Sequence, residues 1–225
     1  MGHIQDNLKQ IGKCIPNNVH LVAVSKYYSI EDIREAYDAG QRIFGESRMQ
    51  ELTVKQAELP DDIDWHFIGH LQTNKVKHVV PYVSTIHSVD SLKLLQEIEV
   101  QASKARHPVD CFLEVHISQD ENKYGFTIEN YRRFLAENQL EKYIFAKIKG
   151  LMGIASNTSD KNQIREEFRT LKHLFEETKE KHLKNNHVHF SELSMGMSHD
   201  YRIAIEEGAT IVRVGSSIFE KNNNL

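Results

Sequence analysis

Short, β-branched apolar runs return along this chain at regular intervals, separated by longer stretches with helical periodicity. Eight such runs occur, at 20–25, 42–45, 65–69, 85–88, 111–117, 148–154, 190–194 and 211–214. Helix start signals lie between them. Ser29 precedes Ile30-Glu31-Asp32-Ile33 and Thr127 precedes Ile128-Glu129, each offering a hydroxyl cap and acidic residues in the first turn. Gly40 and Gly208 end two of the helical patterns as C-terminal glycines do. Strand-then-helix units whose connections are too long for hairpins imply parallel strands. Eight of them in 225 residues predict an α/β fold, a single-domain (β/α)8 TIM-type barrel, with an added helix at residues 3–13. A doubly wound open sheet is the rival architecture. No Pro/Ser/Gly-rich linker interrupts the pattern, and Pro16, Pro60, Pro81 and Pro108 fall between apolar runs, so residues 1–225 read as one domain. The Lys- and Glu-rich stretch 160–186 carries Ile164, Phe168, Leu171, Leu174 and Phe175 at helical spacing, which predicts a helix covering the barrel.

Charge and composition exclude several function classes. With 28 basic against 32 acidic residues the formal charge is −4, and no basic field exists to attract nucleic acid. Residues 1–13 mix polar and charged side chains and lack the apolar segment of a secretion signal. No run approaches the roughly 18–20 apolar residues of a membrane helix, and a cytoplasmic location follows as an expectation. Cys14 and Cys111 form no CxxC pair and read as reduced thiols. Among 13 histidines, His187 and His189 would share a strand face, but no third ligand stands at metal-binding spacing, so no metal is expected. His66 and His70 read as polar ends of the third strand.

The residues that carry chemistry sit at strand ends. Alternation places Val22, Val24 and Lys26 on one face, with the lysine inward at the C-terminal mouth of the barrel, the catalytic end of such folds. A desolvated lysine there favours its neutral amine, which condenses with an aldehyde, whereas one reaching out to water has no chemical role. The segments 190–198 and 211–217 run from strands seven and eight into loops rich in glycine, hydroxyls and backbone amides, where such barrels bind phosphate. Gly215 allows close backbone approach, and Ser216 offers a hydroxyl and an N–H. Arg213 shares a face with Ile211 and Gly215 and should point inward, where it needs an anion or a planar acceptor. Glu46 or Glu114 in the barrel mouth would serve. Thr73, Asn74 and Lys75 suggest a capped helix start near the mouth.

These segments also carry a resemblance. Ala23-Val24-Ser25-Lys26, the stretches 39–46 and 65–75, Gly150-Leu151-Met152, Leu193 to Asp200 and Val212 to Ser216 occur in an order that resembles the pyridoxal phosphate homeostasis protein family, over nearly the whole chain. The resemblance implies a barrel similar to the N-terminal domain of alanine racemase, with pyridoxal 5'-phosphate (PLP) held as a Schiff base on Lys26. It further implies that Arg213 faces the pyridine nitrogen and that Ser194, Gly215 and Ser216 bind the phosphate. A cation beside that nitrogen disfavours its protonation and weakens the ring as an electron sink. Ser47, where the family usually has asparagine, and Glu220, where glycine is common, depart from the pattern.

The implied function is PLP binding in cofactor homeostasis with little or no turnover, with PLP-dependent apo-enzymes as partners. The alternative is a PLP-dependent racemase or lyase using Lys26 as base, with Tyr27, Tyr28 or Tyr201 as a second proton donor. Only a short helix is expected after the eighth strand, with no added domain to supply an opposing base. A third reading keeps Ser194, Gly215 and Ser216 as a site for a phosphorylated metabolite.

Overall fold

A computed structural model describes residues 2–120, 124–137, 140–182 and 189–221. Eight parallel strands close into a barrel in sequence order: β1 (His20–Val24), β2 (Ile43–Glu46), β3 (Asp64–Phe67), β4 (Thr85–Val89), β5 (Val109–Glu114), β6 (Ala146–Met152), β7 (Glu192–Ser194) and β8 (Ile211–Val214). Closure is made by β1 and β8, with Val22 opposite Arg213 and Ala23 opposite Val214. The open-sheet alternative is thereby excluded.

Helix α1 (His3–Gly12) precedes the barrel, as the N-terminal pattern predicts. It is followed by α2 (Ile30–Asp38), α3 (Met49–Glu58), the single-turn α4 (Val76–Val79), α5 (Leu92–Ala105), α6 (Ile128–Ala136), α7 (Lys161–His182), α8 (Tyr201–Glu206) and the single-turn α9 (Ser216–Phe219). The caps read from sequence form. Ser29 Oγ accepts the Asp32 N–H while Asp32 returns a bond to the Ser29 N–H, and Thr127 accepts from Asn130. Gly40 and Gly208 end α2 and α8 with φ of +102° and +92°. Thr73–Lys75 instead forms a 3-10 turn without a side-chain cap.

Strand alternation sorts the core into two compartments. Outward residues such as Ala23, Phe44, Leu113, Leu151, Leu193 and Val212 pack beneath helices carrying Ile33, Leu52, Leu95, Phe168 and Leu171. Inside the barrel, Val22, Phe112, Met152 and Ile211 form a separate small apolar layer. Above it the interior turns polar, because His66, His87, Glu114, Ser194 and Arg213 are all buried. A layer of the barrel interior usually filled by bulky aliphatics is thus given to hydrogen-bonding groups. At the chain's far end, Asn7 Nδ2 donates to the Ile218 and Glu220 carbonyl oxygens at 2.9 and 3.0 Å, which ties α1 to α9 beside β8. Among the described residues no helix is long and apolar enough to cross a membrane.

Candidate cofactor site

A cavity of about 400 Å³ opens at the C-terminal ends of the strands, between the β1 end and the loops after β7 and β8. Lys26, Arg213, Gly215 and Ser216, singled out from sequence, all line it. Lys26 follows β1 on the inward face and is half-buried. Among the described residues its amine has no hydrogen-bond or ion-pair partner; the nearest ring is that of Tyr27, with its centroid 5.8 Å from Nζ.

The loop after β7 turns at Gly196, where φ is +95° and a Cβ would come within 2.6 Å of the Ala204 Cβ. Asp200 Oδ1 accepts the Met197 N–H at 2.5 Å and fixes the next turn. Ser198 is thereby presented to the cavity, and its Oγ accepts the Gly215 N–H at 3.1 Å. Gly215 packs directly on β1, because a Cβ there would lie 3.1 Å from the Val24 carbonyl oxygen. The first-turn amides of Ser216 and Ser217 have no acceptor within α9. The result is a rim of hydroxyls and N–H groups suited to phosphate oxygens.

Arg213 is buried within the barrel. Its guanidinium donates to Ser194 Oγ at 2.5 Å and to the Gly153 carbonyl oxygen at 3.2 Å. Among the described residues no carboxylate lies within ion-pair distance of it. Burial pulls its pKa down to about 10, opposed by Glu114 and Asp200, so it stays charged at neutral pH. Ser194 continues the chain to His87 Nδ1 at 2.9 Å, and His87 Nε2 meets His66 Nδ1 at 2.9 Å. His66 Nε2 approaches Asp64 Oδ2 at 3.5 Å. Burial, then the charges of His66 and Arg213, holds His87 well below the ordinary histidine value, in its neutral form. These contacts link the Arg213 guanidinium, through Ser194, His87 and His66, to Asp64. This chain fixes the guanidinium from beneath.

Three expectations need correction. Ser194 is fully buried and its hydroxyl is engaged by Arg213 and His87, so it supports the arginine from below and does not face the cavity. Glu46 shares the outward face of β2 with Phe44 and pairs with Lys55 on α3 at 2.9 Å, away from Arg213. His66 is an interior link and no strand-end group, whereas His70 pairs with Asp90 at 3.0 Å near the surface. Sequence reasoning did not single out Ser198, whose signals are its place in a hydroxyl-bearing loop and in the Leu193 to Asp200 stretch of the resemblance. The departures from the family pattern separate: Ser47 abuts Gly69 and does not line the cavity, whereas Glu220 lines it and accepts from the Tyr28 hydroxyl at 3.4 Å. Tyr28 stacks on Phe219 with centroids 4.4 Å apart, and burial and then Glu220 hold its phenol above the ordinary value. Its packing accounts for its presence without a proton-transfer role. Of the histidine pair considered for metal, His187 lies outside the described residues. Among the described residues no three potential metal ligands cluster.

Glu114, on the inner face of β5, supplies a pH dependence. Burial and then Asp90 push its carboxyl up to about 7, against the pull of Arg213. A carboxyl raised on folding favours the native state while protonated, so its contribution is full below the ordinary value of about 4.5 and is lost as pH rises to about 7. Glu114→Gln should therefore exceed the wild type in stability by roughly 2–3 kcal/mol at pH 8 and match it near pH 5. Urea midpoints at the two pH values check this.

Comparison with known proteins adds an independent line. A family profile described as "Alanine racemase, N-terminal domain" matches residues 1–222. The chain is 42% identical over 204 residues to the pyridoxal phosphate homeostasis protein of Aquifex aeolicus, covering 90% of this chain and 87% of that one. The chain belongs to the pyridoxal phosphate homeostasis protein family. Its counterpart in Schizosaccharomyces pombe is 40% identical, over 90% of this chain and 84% of the relative. Among solved structures, PipY of Synechococcus elongatus PCC7942 with PLP bound superposes with a TM-score of 0.87 at 36% identity, covering 96% of this chain and 99% of PipY. Alanine racemase from Bartonella henselae, at 13% identity and a TM-score of 0.73 over 99% of this chain and 61% of the racemase, shares the fold alone.

Proposed function

We propose that residues 1–225 act as one PLP-binding domain that stores and hands on the cofactor, anchored as a Schiff base on Lys26. The observation that carries this is the meeting on one cavity of a lysine with no hydrogen-bond or ion-pair partner and a buried arginine with no carboxylate at ion-pair distance, both among the described residues, beside a phosphate-ready rim. Membership in a family named for PLP homeostasis, and a closely similar PipY structure containing PLP, support it. Bound PLP supplies an aldehyde and an electron-withdrawing ring.

The chain's own residues would divide the work. Ser198 and Ser216 would hold the phosphate through their hydroxyls and the Ser216 amide, while Gly215, whose N–H is taken by Ser198 Oγ, would let the backbone come close. Arg213 would present to the ring nitrogen a charge that cannot be surrendered near neutral pH, which would disfavour protonation of that nitrogen and weaken the ring as an electron sink. Such a site suits retention and release of cofactor over removal of a Cα proton. PLP-dependent apo-enzymes in the cytoplasm are the proposed recipients.

A racemase or lyase using Lys26 as base would behave differently in solution. Single-enantiomer amino acids incubated in deuterated water with the PLP-loaded protein should show Cα exchange far below about 1 s⁻¹. Sustained exchange at that rate or above would overturn the storage reading.

A further inference from the structure

Three charged side chains outside the cavity converge on the backbone that carries Lys26. Lys55, on α3, donates from Nζ to the Ser25 carbonyl oxygen at 2.9 Å, to Glu46 Oε1 at 2.9 Å and to Glu51 Oε2 at 3.3 Å. Glu51 Oε2 accepts the Tyr27 N–H at 2.9 Å. Ser25 Oγ donates to the same Glu46 oxygen at 2.5 Å. The two peptide groups flanking the Lys26 Cα are therefore each held by one member of an ion pair, the cation on a carbonyl oxygen and the anion on an N–H. Both assignments are charge-assisted and of the strong kind.

What they hold is a turn in an unfavourable shape. Tyr27 has φ of +72°, in the left-handed region that a β-carbon penalises. The turn is closed by the Tyr28 N–H on the Ser25 carbonyl oxygen at 3.1 Å. Side-chain packing does not impose it, because Tyr27 is 67% exposed. The restraint comes from below, where Lys55 and Glu46 are buried. Burying such a pair is a poor route to stability alone, and here its hydrogen bonds go to the main chain on one side of Lys26 and, through Glu51, on the other.

We propose that Glu46, Lys55 and Glu51 are positioning residues: they lock the peptide planes on both sides of Lys26 and so deliver its amine into the cavity. The proposal rests on Lys26 being the PLP anchor, and it predicts that loosening the clamp frees the cofactor without unfolding the barrel.

Glu51 is the clamp member to test, because its side chain is partly exposed and its loss leaves the Lys55–Glu46 pair intact. In the full-length protein, Glu51→Ala should weaken PLP retention about tenfold, the worth of one hydrogen bond to a charged group. It should also accelerate exchange of the Tyr27 amide. Glu51→Gln, which keeps an acceptor for that N–H, should recover most of both, although the two variants have similar Tm. Retention by Glu51→Ala within twofold of wild type, or equal losses in the alanine and glutamine variants, would sink the positioning role. Borohydride treatment of PLP-loaded wild type separates the two levels. A reduced adduct on Lys26 with an unaffected Glu51→Ala overturns the clamp alone, whereas no adduct on wild type overturns the anchor and the clamp with it.

Discussion

Replacing Arg213 by methionine should weaken PLP binding roughly ten- to a hundredfold while leaving Tm unchanged or raised. On the proposed assignment the two effects separate, because the arginine's buried charge would serve the ligand and not the fold. In the free protein it has no ion-pair partner among the described residues, and burial already drags it below its ordinary value. An apolar side chain of similar volume relieves that desolvation, which in buried sites is often neutral or stabilising. Ser194 loses a donor but keeps His87, so the interior chain survives in shortened form. Bound PLP, held as proposed, would by contrast lose a charged hydrogen-bond donor worth about 1.5–3 kcal/mol. The absorption band of the bound cofactor should shift too, because the proposed placement would set the ring nitrogen against that fixed cation. Titration with PLP followed by absorbance, alongside thermal melts, reads both. A variant that is less stable and binds normally would mean that Arg213 is a structural residue.

Replacing Lys55 by methionine should cost roughly 3–5 kcal/mol near pH 8, the penalty for leaving one partner of a buried pair charged and alone. The partner is Glu46, which is fully buried. Burial already raises its carboxyl above the ordinary value, against the lowering bonds from Ser25 and Lys55. Without the ammonium it rises further, and the folded protein then binds a proton more tightly than the unfolded chain. For a carboxyl raised on folding, stability is greatest while the group is protonated and falls as pH climbs to the folded value. The loss in Lys55→Met should therefore be smaller at pH 5 than at pH 8. Urea denaturation at both pH values measures it. Equal losses would show that the charge of Glu46 is not what Lys55 balances.

Much of this architecture was legible in the sequence, for reasons that also explain the misreadings. Period two along β1 and β8 correctly turned Lys26 and Arg213 inward, because alternation is a property of each strand alone. The same rule, applied with Phe44 as the reference, turns Glu46 outward; its partner Lys55 lies on a neighbouring helix whose face is set by packing. Ser194 is inward as well, but how far a strand's last residue stands from the mouth depends on the stagger between strands. That stagger is a tertiary quantity, and it leaves Ser194 below the cavity while Ser198 reaches it. His66 reads from sequence as a polar strand end and His87 carries no signal of its own, because only closure of the barrel brings the two rings into hydrogen-bond contact. The strain at Tyr27 has no sequence signal, since nothing in a tyrosine announces a left-handed backbone.

The family match and the cavity meet at one atom, Lys26 Nζ. Incubating the protein with PLP, reducing with borohydride and mapping the modified peptide by mass spectrometry tests that atom directly. A yellow protein that acquires one irreversible pyridoxyl group on Lys26, with neither colour nor adduct in Lys26→Ala, is the predicted result. A colourless wild type with Lys26 unmodified, or an adduct that persists elsewhere in Lys26→Ala at wild-type yield, would contradict it.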